Sequence, residues 1–236
     1  MSKENILYIV IGLLAGFMIG FFFANSVNQG AIVATSPAAV GTQPGMQPGS
    51  AALPAGHPAL PGGGSPAEIQ AAIDKARQDP TDFDAQMKAA ELYYQIQRFD
   101  AAIDFLKKAN ELQPDNYEVL VNLGHANFYA GKYDEAEKIY TKALGKKADD
   151  LGTRTDLGMT YVLRASPDYD RAIQEFKRVL DADANHVQAL QSLTLAYARK
   201  SDKANASATL ARLEQTDAAN TAIPKLREEI QKLETK

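Results

Sequence analysis

From about residue 66 to the end of the chain, apolar residues recur at steps of three and four, interrupted by short polar turns such as Gln113-Pro114-Asp115-Asn116 and Ala130-Gly131-Lys132. That spacing puts the apolar side chains on one face of successive helices. Strand-like alternation of apolar and polar positions is nearly absent, so this part of the chain is expected to be all-α. Ser65-Pro66-Ala67-Glu68 reads as the start of its first helix, a capping helix over 65–80, with Ser65 as N-cap, Pro66 at the first helical position and Glu68 closing a capping box. At the other end, Ile223, Leu226, Ile230 and Leu233 keep helical spacing beside Glu228, Glu229, Lys232 and Glu234. They predict a second capping helix within 221–236; an amphipathic helix that binds a partner is the other reading.

The pattern upstream is different. Ile6 to Phe23 is an unbroken uncharged apolar run, which as a helix spans roughly 27 Å, close to the thickness of a bilayer's hydrocarbon core. It predicts a transmembrane helix over 6–24, used as a signal anchor. The rival is a cleaved signal peptide, with Ala24-Asn25-Ser26 as a small-residue cleavage site, although an apolar core of that kind is normally only about 7 to 15 residues long. Lys3 and the amino terminus precede the run, and no Lys or Arg follows before Lys75. Residues 1–5 are therefore expected in the cytoplasm and the rest of the protein outside it. Gly12, Gly16 and Gly20 fall on one face of this helix, a stripe that suits helix–helix association such as a homodimer. Residues 25–64 are rich in Pro, Gly, Ala and Gln, cannot build a core, and read as a disordered tether.

Aligned on itself, the folded part shows a fixed period. Ala102, Ala136, Ala172 and Ala206 are separated by 34, 36 and 34 residues. The same steps recur in Leu123, Leu157 and Leu193, in Gly124 and Gly158, in Phe99, Tyr133 and Tyr169, and in Pro80 and Pro114. The two extra residues of the third unit fall near Ser166-Pro167, in the turn between its helices. Unit two reads Leu120, Leu123-Gly124, then Gly131-Lys132-Tyr133-Asp134-Glu135-Ala136, then Tyr140, Ala143 and Leu144, with Ala148 at its end. These residues resemble the tetratricopeptide repeat, a helix-turn-helix unit of about 34 residues. Unit one has Ala89-Ala90 where the family has Leu-Gly, unit four has Thr194 where it has glycine, and no unit has the family's first-helix Trp. The resemblance implies an all-α, right-handed superhelix with units at 83–116, 117–150, 151–186 and 187–220.

It also implies a concave groove lined by side chains of the first helix of each unit. Unit one would supply Met87, Glu91, Tyr94 and Gln95; unit two Val121, His125, Phe128 and Tyr129; unit three Thr155, Met159 and Val162; unit four Gln191, Leu195 and Arg199. Such a lining, apolar and aromatic with few charges, suits a protein or peptide partner. The alternative is that several of these side chains only pack against neighbouring helices. Some members of the family hold acidic peptide tails in a clamp of Lys, Arg and Asn. Here only Asn122 matches, with Met87, Glu91, Gly152 and Asp156 at the other clamp positions, so that mode is not expected.

Composition narrows the function. The chain has no Cys, which excludes disulfides, thiolate metal sites and cysteine nucleophiles. Its net charge of −4 carries no clustered basic stretch and argues against nucleic acid. His57, His125 and His186 lie far apart, no glycine-rich phosphate loop or nucleophile elbow is present, and Asp149, Asp150, Asp181 and Asp183 fall at turns where helix capping accounts for them. No cofactor or metal is implied, and the chain is not expected to be an enzyme. Its layout resembles bacterial single-span repeat proteins of the cell envelope, including accessory factors of cytochrome c maturation and of secretion. That likeness implies a membrane-anchored scaffold, periplasmic in a Gram-negative cell. A chaperone-like holder of exported polypeptides is the alternative.

Overall fold

The computed structural model describes residues 66–233, which form ten helices and, among the described residues, no strand. A first helix, α1 (Pro66–Gln78), precedes four helix pairs: α2 (Phe83–Gln95) with α3 (Phe99–Leu112), α4 (Tyr117–Tyr129) with α5 (Tyr133–Lys146), α6 (Leu151–Leu163) with α7 (Tyr169–Ala182), and α8 (Val187–Arg199) with α9 (Lys203–Thr216). A short helix, α10 (Ile223–Gln231), closes the series. Each helix packs on the next in sequence, and α6 also meets α8 as α8 meets α10. The result is an all-α solenoid in which every unit buries its apolar face on its neighbours. Among the described residues no helix is long and apolar enough to cross a membrane. The apolar run at 6–24, its Gly12, Gly16 and Gly20, and the tether at 25–64 lie outside the described residues.

The helices begin and end where local chemistry dictates. Asp82, Asn116, Asp150 and His186 hold the same register position, and each accepts the backbone N–H three residues on, of Ala85, Val119, Thr153 and Ala189 respectively. For His186 the acceptor is Nδ1, at 3.2 Å, so its ring proton sits on Nε2. The turn within a unit closes on one bond, from Arg98 N–H to the Tyr93 carbonyl at 2.8 Å, from Lys132 to Asn127 at 2.9 Å and from Asp202 to Tyr197 at 2.9 Å. Each of these turns contains one left-handed residue, Gln97, Gly131 or Ser201. In unit three the same bond runs from Asp168 to Tyr161, two residues further, and no described residue of that turn has positive φ.

The joint between the helices of a pair is built on volume. At Gly124 a Cβ would lie 2.5 Å from Cε1 of Tyr140, and at Gly158 one would lie 2.9 Å from Cδ1 of Phe176. Both rings are wholly buried. The register equivalents are Ala90 and Leu106 in unit one and Thr194 and Leu210 in unit four, all buried. Glycine thus accompanies a ring, and a larger residue accompanies leucine, as close packing requires.

Polar ties join the units. Gln86, wholly buried, donates to the Ala76 carbonyl at 2.6 Å and so fastens α1 to α2. Within unit three, Arg154 of α6 reaches Glu175 of α7 at 2.8 Å, and Glu175 also takes Arg178 at 2.6 Å. The Tyr117 hydroxyl donates to Asp150, the cap of α6.

Candidate binding site on the first-helix wall

The first helices, α2, α4, α6 and α8, carry the side chains expected to line the groove, and the structure sorts them into two groups. Phe128 is 5% exposed and Met159 3%, and Thr155 and Val162 are also buried. Contrary to expectation these four pack rather than line. A first helix is covered on three sides by its own partner and by two neighbouring units, so a mid-helix apolar side chain has little open face to occupy. Thr155 turns its hydroxyl back to the Leu151 carbonyl at 2.8 Å. The remaining residues stay in reach of solvent: Met87, Tyr94, Val121, His125, Tyr129, Gln191, Leu195 and Arg199 are half-buried, and Glu91 and Gln95 are exposed. Glu91 takes Lys88 at 2.8 Å and Gln95 at 3.0 Å, forming a polar strip along α2.

Two clusters meet where units one, two and three adjoin. The first is aromatic. Tyr94 of α2 meets Tyr129 of α4 edge-on with ring centroids 5.8 Å apart, and Phe99 contacts both at 5.3 Å, stacked on Tyr129. Phe128 backs this group, 5.4 Å from Tyr129 and 5.5 Å from Tyr133. The Tyr94 and Tyr129 hydroxyls are hydrogen-bonded to each other. The second cluster is polar. His125 Nε2 of α4 lies 2.9 Å from Asp156 Oδ2 of α6, with the two side chains 12% and 13% exposed, and the Tyr140 ring stands edge-on to the imidazole at 5.8 Å. Tyr140 Oη and His125 Nδ1 are buried and have no hydrogen-bond partner among the described residues.

Burial governs the electrostatics here, and one charge adds to it. Burial pushes the Tyr94, Tyr129 and Tyr140 phenols well above the ordinary tyrosine range, and the carboxylate of Asp156 pushes each of them further the same way. All three therefore remain neutral hydroxyls at physiological pH. The arrangement supplies hydrogen-bond acceptors, hydroxyls and ring faces. Among the described residues no three His, Asp or Glu side chains gather as a metal would need. A separate open cleft of about 440 Å³ lies between α7, α8 and α9, lined by Lys177, Asp181, Tyr197 and Arg212 among others.

Three residues of this site escape the sequence reading: Phe99, which reaches the aromatic cluster from α3, Asp156 and Tyr140. Asp156 stands 31 positions from His125, a separation no single helix makes adjacent, and Tyr140 belongs to a second helix. The available signal was the register itself, which puts the lone carboxylate Asp156 mid-way along a first helix, where capping cannot account for it.

Residues 67–117 and 97–154 each match a family model described as tetratricopeptide repeat. BBSome complex member BBS4 from Bos taurus is 27% identical over 110 residues, which are 47% of this chain and 21% of that protein, so the chain spans about a fifth of that relative's length. Among solved structures, MamA is 23% identical with a TM-score of 0.58, over 64% of this chain and 86% of that one. YrrB, a repeat protein with an unusual peptide-binding site, is 20% identical with a TM-score of 0.61, over 69% of this chain and 84% of that one. These structural likenesses establish the fold.

Proposed function

We propose that this protein is a tetratricopeptide-repeat interaction scaffold which holds a protein or peptide partner on its first-helix wall. The observation that carries the reading is the half-exposed group of Tyr94, Phe99 and Tyr129 beside the partly open His125–Asp156 pair. Large rings bury much area at small rotamer cost, and a polar pair at their edge gives direction to what binds. The peptide-binding site of YrrB, on the same fold, supports it.

The proposal extends to location. The uncharged run at 6–24 anchors the chain in a membrane with Lys3 on the cytoplasmic side, residues 25–64 tether the domain, and the domain works outside the cytoplasm on other envelope proteins during assembly, maturation or secretion. The length of the run and the placing of the basic residues support this arrangement. The burial of Phe128 and Met159 leaves a wall of mixed polarity, which favours a selective partner over a general holder of exported chains.

Photo-crosslinking in cells from a probe at Gln95, exposed on α2, tests the reading against a control probe at Lys138, exposed on α5. A discrete adduct from position 95 and none from 138 is expected. A smear of many exported chains from 95 would move the function to the holder, and adducts from 138 alone would move it to the second helices.

A further inference from the structure

The polar cluster has acceptors to spare. With Asp156 Oδ2 accepting, the proton of the pair lies on His125 Nε2, and a neutral imidazole then keeps Nδ1 as an acceptor. Nδ1 has no partner among the described residues, and no hydrogen bond of the described residues uses Asp156 Oδ1. Buried acceptors left over in this way call for a ligand rich in donors. Charge points in the same direction. Asp84, Glu91, Glu118 and Asp156 lie on the first helices of units one to three, against Lys88, which Glu91 already holds, and Arg154, which Glu175 holds. The rings of Tyr94 and Tyr129 stand next to this charge, and the negative faces of tyrosine rings attract cations.

We infer that the junction of α2, α4 and α6 binds the guanidinium of an arginine presented by the partner, with Asp156 as its counter-ion and the tyrosine rings as its walls. This rests on the first-helix wall being the binding face. Arginine fits better than lysine because its planar fork aims several donors in different directions at once and stacks on an aromatic face, whereas an ammonium is a compact, strongly hydrated point charge.

The test uses three blocked five-residue probes, Ala-Leu-Xaa-Leu-Ala, in which Xaa is arginine, its neutral isostere citrulline, or glutamate. Each is titrated into the full-length protein in detergent micelles while the His125, Tyr94 and Tyr129 ring signals are followed by NMR. The arginine probe is expected to bind about tenfold more tightly than the citrulline probe and to lose that advantage as salt rises, with the glutamate probe weakest. Asp156→Asn, which keeps the bond to His125, is expected to bring arginine and citrulline within about twofold of each other. The wild-type comparison and its salt dependence stand even if that variant misfolds. Equal affinity for arginine and citrulline overturns the inference and leaves the wall as a binding surface of other chemistry. No shift from any probe at millimolar concentration overturns it as well, and adducts at Gln95 then show whether the wall still holds a partner.

Discussion

In the two middle units a glycine of the first helix lies under a wholly buried ring of the second, Gly124 under Tyr140 and Gly158 under Phe176. The outer units place Ala90 and Leu106, or Thr194 and Leu210, at the same register positions. The difference teaches that the joint conserves volume across a pair rather than residue type at a site. It also shows what the middle glycines are for: both lie inside helices, so neither supplies backbone freedom. They supply space, and helix propensity argues against them by roughly 1 kcal/mol each. The solution with a ring has one further consequence, because Tyr140 brings a hydroxyl into the core beside His125, whereas Phe176 and the two leucines bring none.

Emptying the joint breaks this comparison most severely. Phe176→Ala should cost about 3 to 5 kcal/mol, read as a fall in the urea midpoint, because a wholly buried ring leaves a cavity that rigid neighbours only partly fill. Overfilling comes next. Gly158→Thr alone should cost about 1 to 3 kcal/mol, since its Cβ collides with Phe176. Combining it with Phe176→Leu installs the pair of unit four and should recover at least half of that loss. Simple addition of the two single costs in the double variant would show that the pair does not share one volume.

Tyr140→Phe separates the two middle joints from each other. It removes a buried hydroxyl that has no partner and should stabilise the domain by up to about 1 kcal/mol near pH 8. The gap should widen toward alkaline pH. Burial and the charge of Asp156 hold the Tyr140 pKa above its ordinary value of 10.0, so the stability tied to its neutral form is complete below that value and is lost as pH rises toward the folded one. Urea midpoints of both proteins measured at about pH 8 and about pH 11 check this, and a gap that narrows would contradict it.

Much of this could be read from the chain. The steps of 34 and 36 residues mark the helix starts at Phe83, Tyr117, Leu151 and Val187, because caps, turns and apolar spacing are local and repeat with the fold. The all-α solenoid follows from that register. The alternation of Gly with a ring and Ala or Thr with Leu was also present in the aligned units, although it takes the contact at Gly124 to give it meaning. The candidate site was legible only in part. Tyr94, His125 and Tyr129 are found by position in the first helix, but so are Phe128 and Met159, which are buried. Helical spacing tells which side chains share a face and leaves open which neighbour covers it. Asp156 and Tyr140 join the site through contacts between helices, and those have no periodic signature.

The smallest effect is expected at the turn of unit three, the other place where the units part company. Replacing Ala165-Ser166-Pro167 by a single glycine restores the spacing of unit two, in which Gly131 holds the left-handed position between α4 and α5. Loop closure changes little over two residues, so the midpoint should move by no more than about 0.5 kcal/mol. The interactions at risk are those of Arg164, which donates to the Ser166 carbonyl at 3.0 Å, pairs with Glu137 at 3.1 Å and lies 3.6 Å from Asp168. Arg171 also reaches Glu137, at 3.3 Å, and would keep that carboxylate paired across the interface between units two and three. A loss well above 1 kcal/mol would therefore mean that Arg164 needs the longer turn to reach its partner. Arg164→Ala in the unchanged turn would then reproduce the loss, and the two extra residues would count as a device for placing one guanidinium rather than a tolerated insertion.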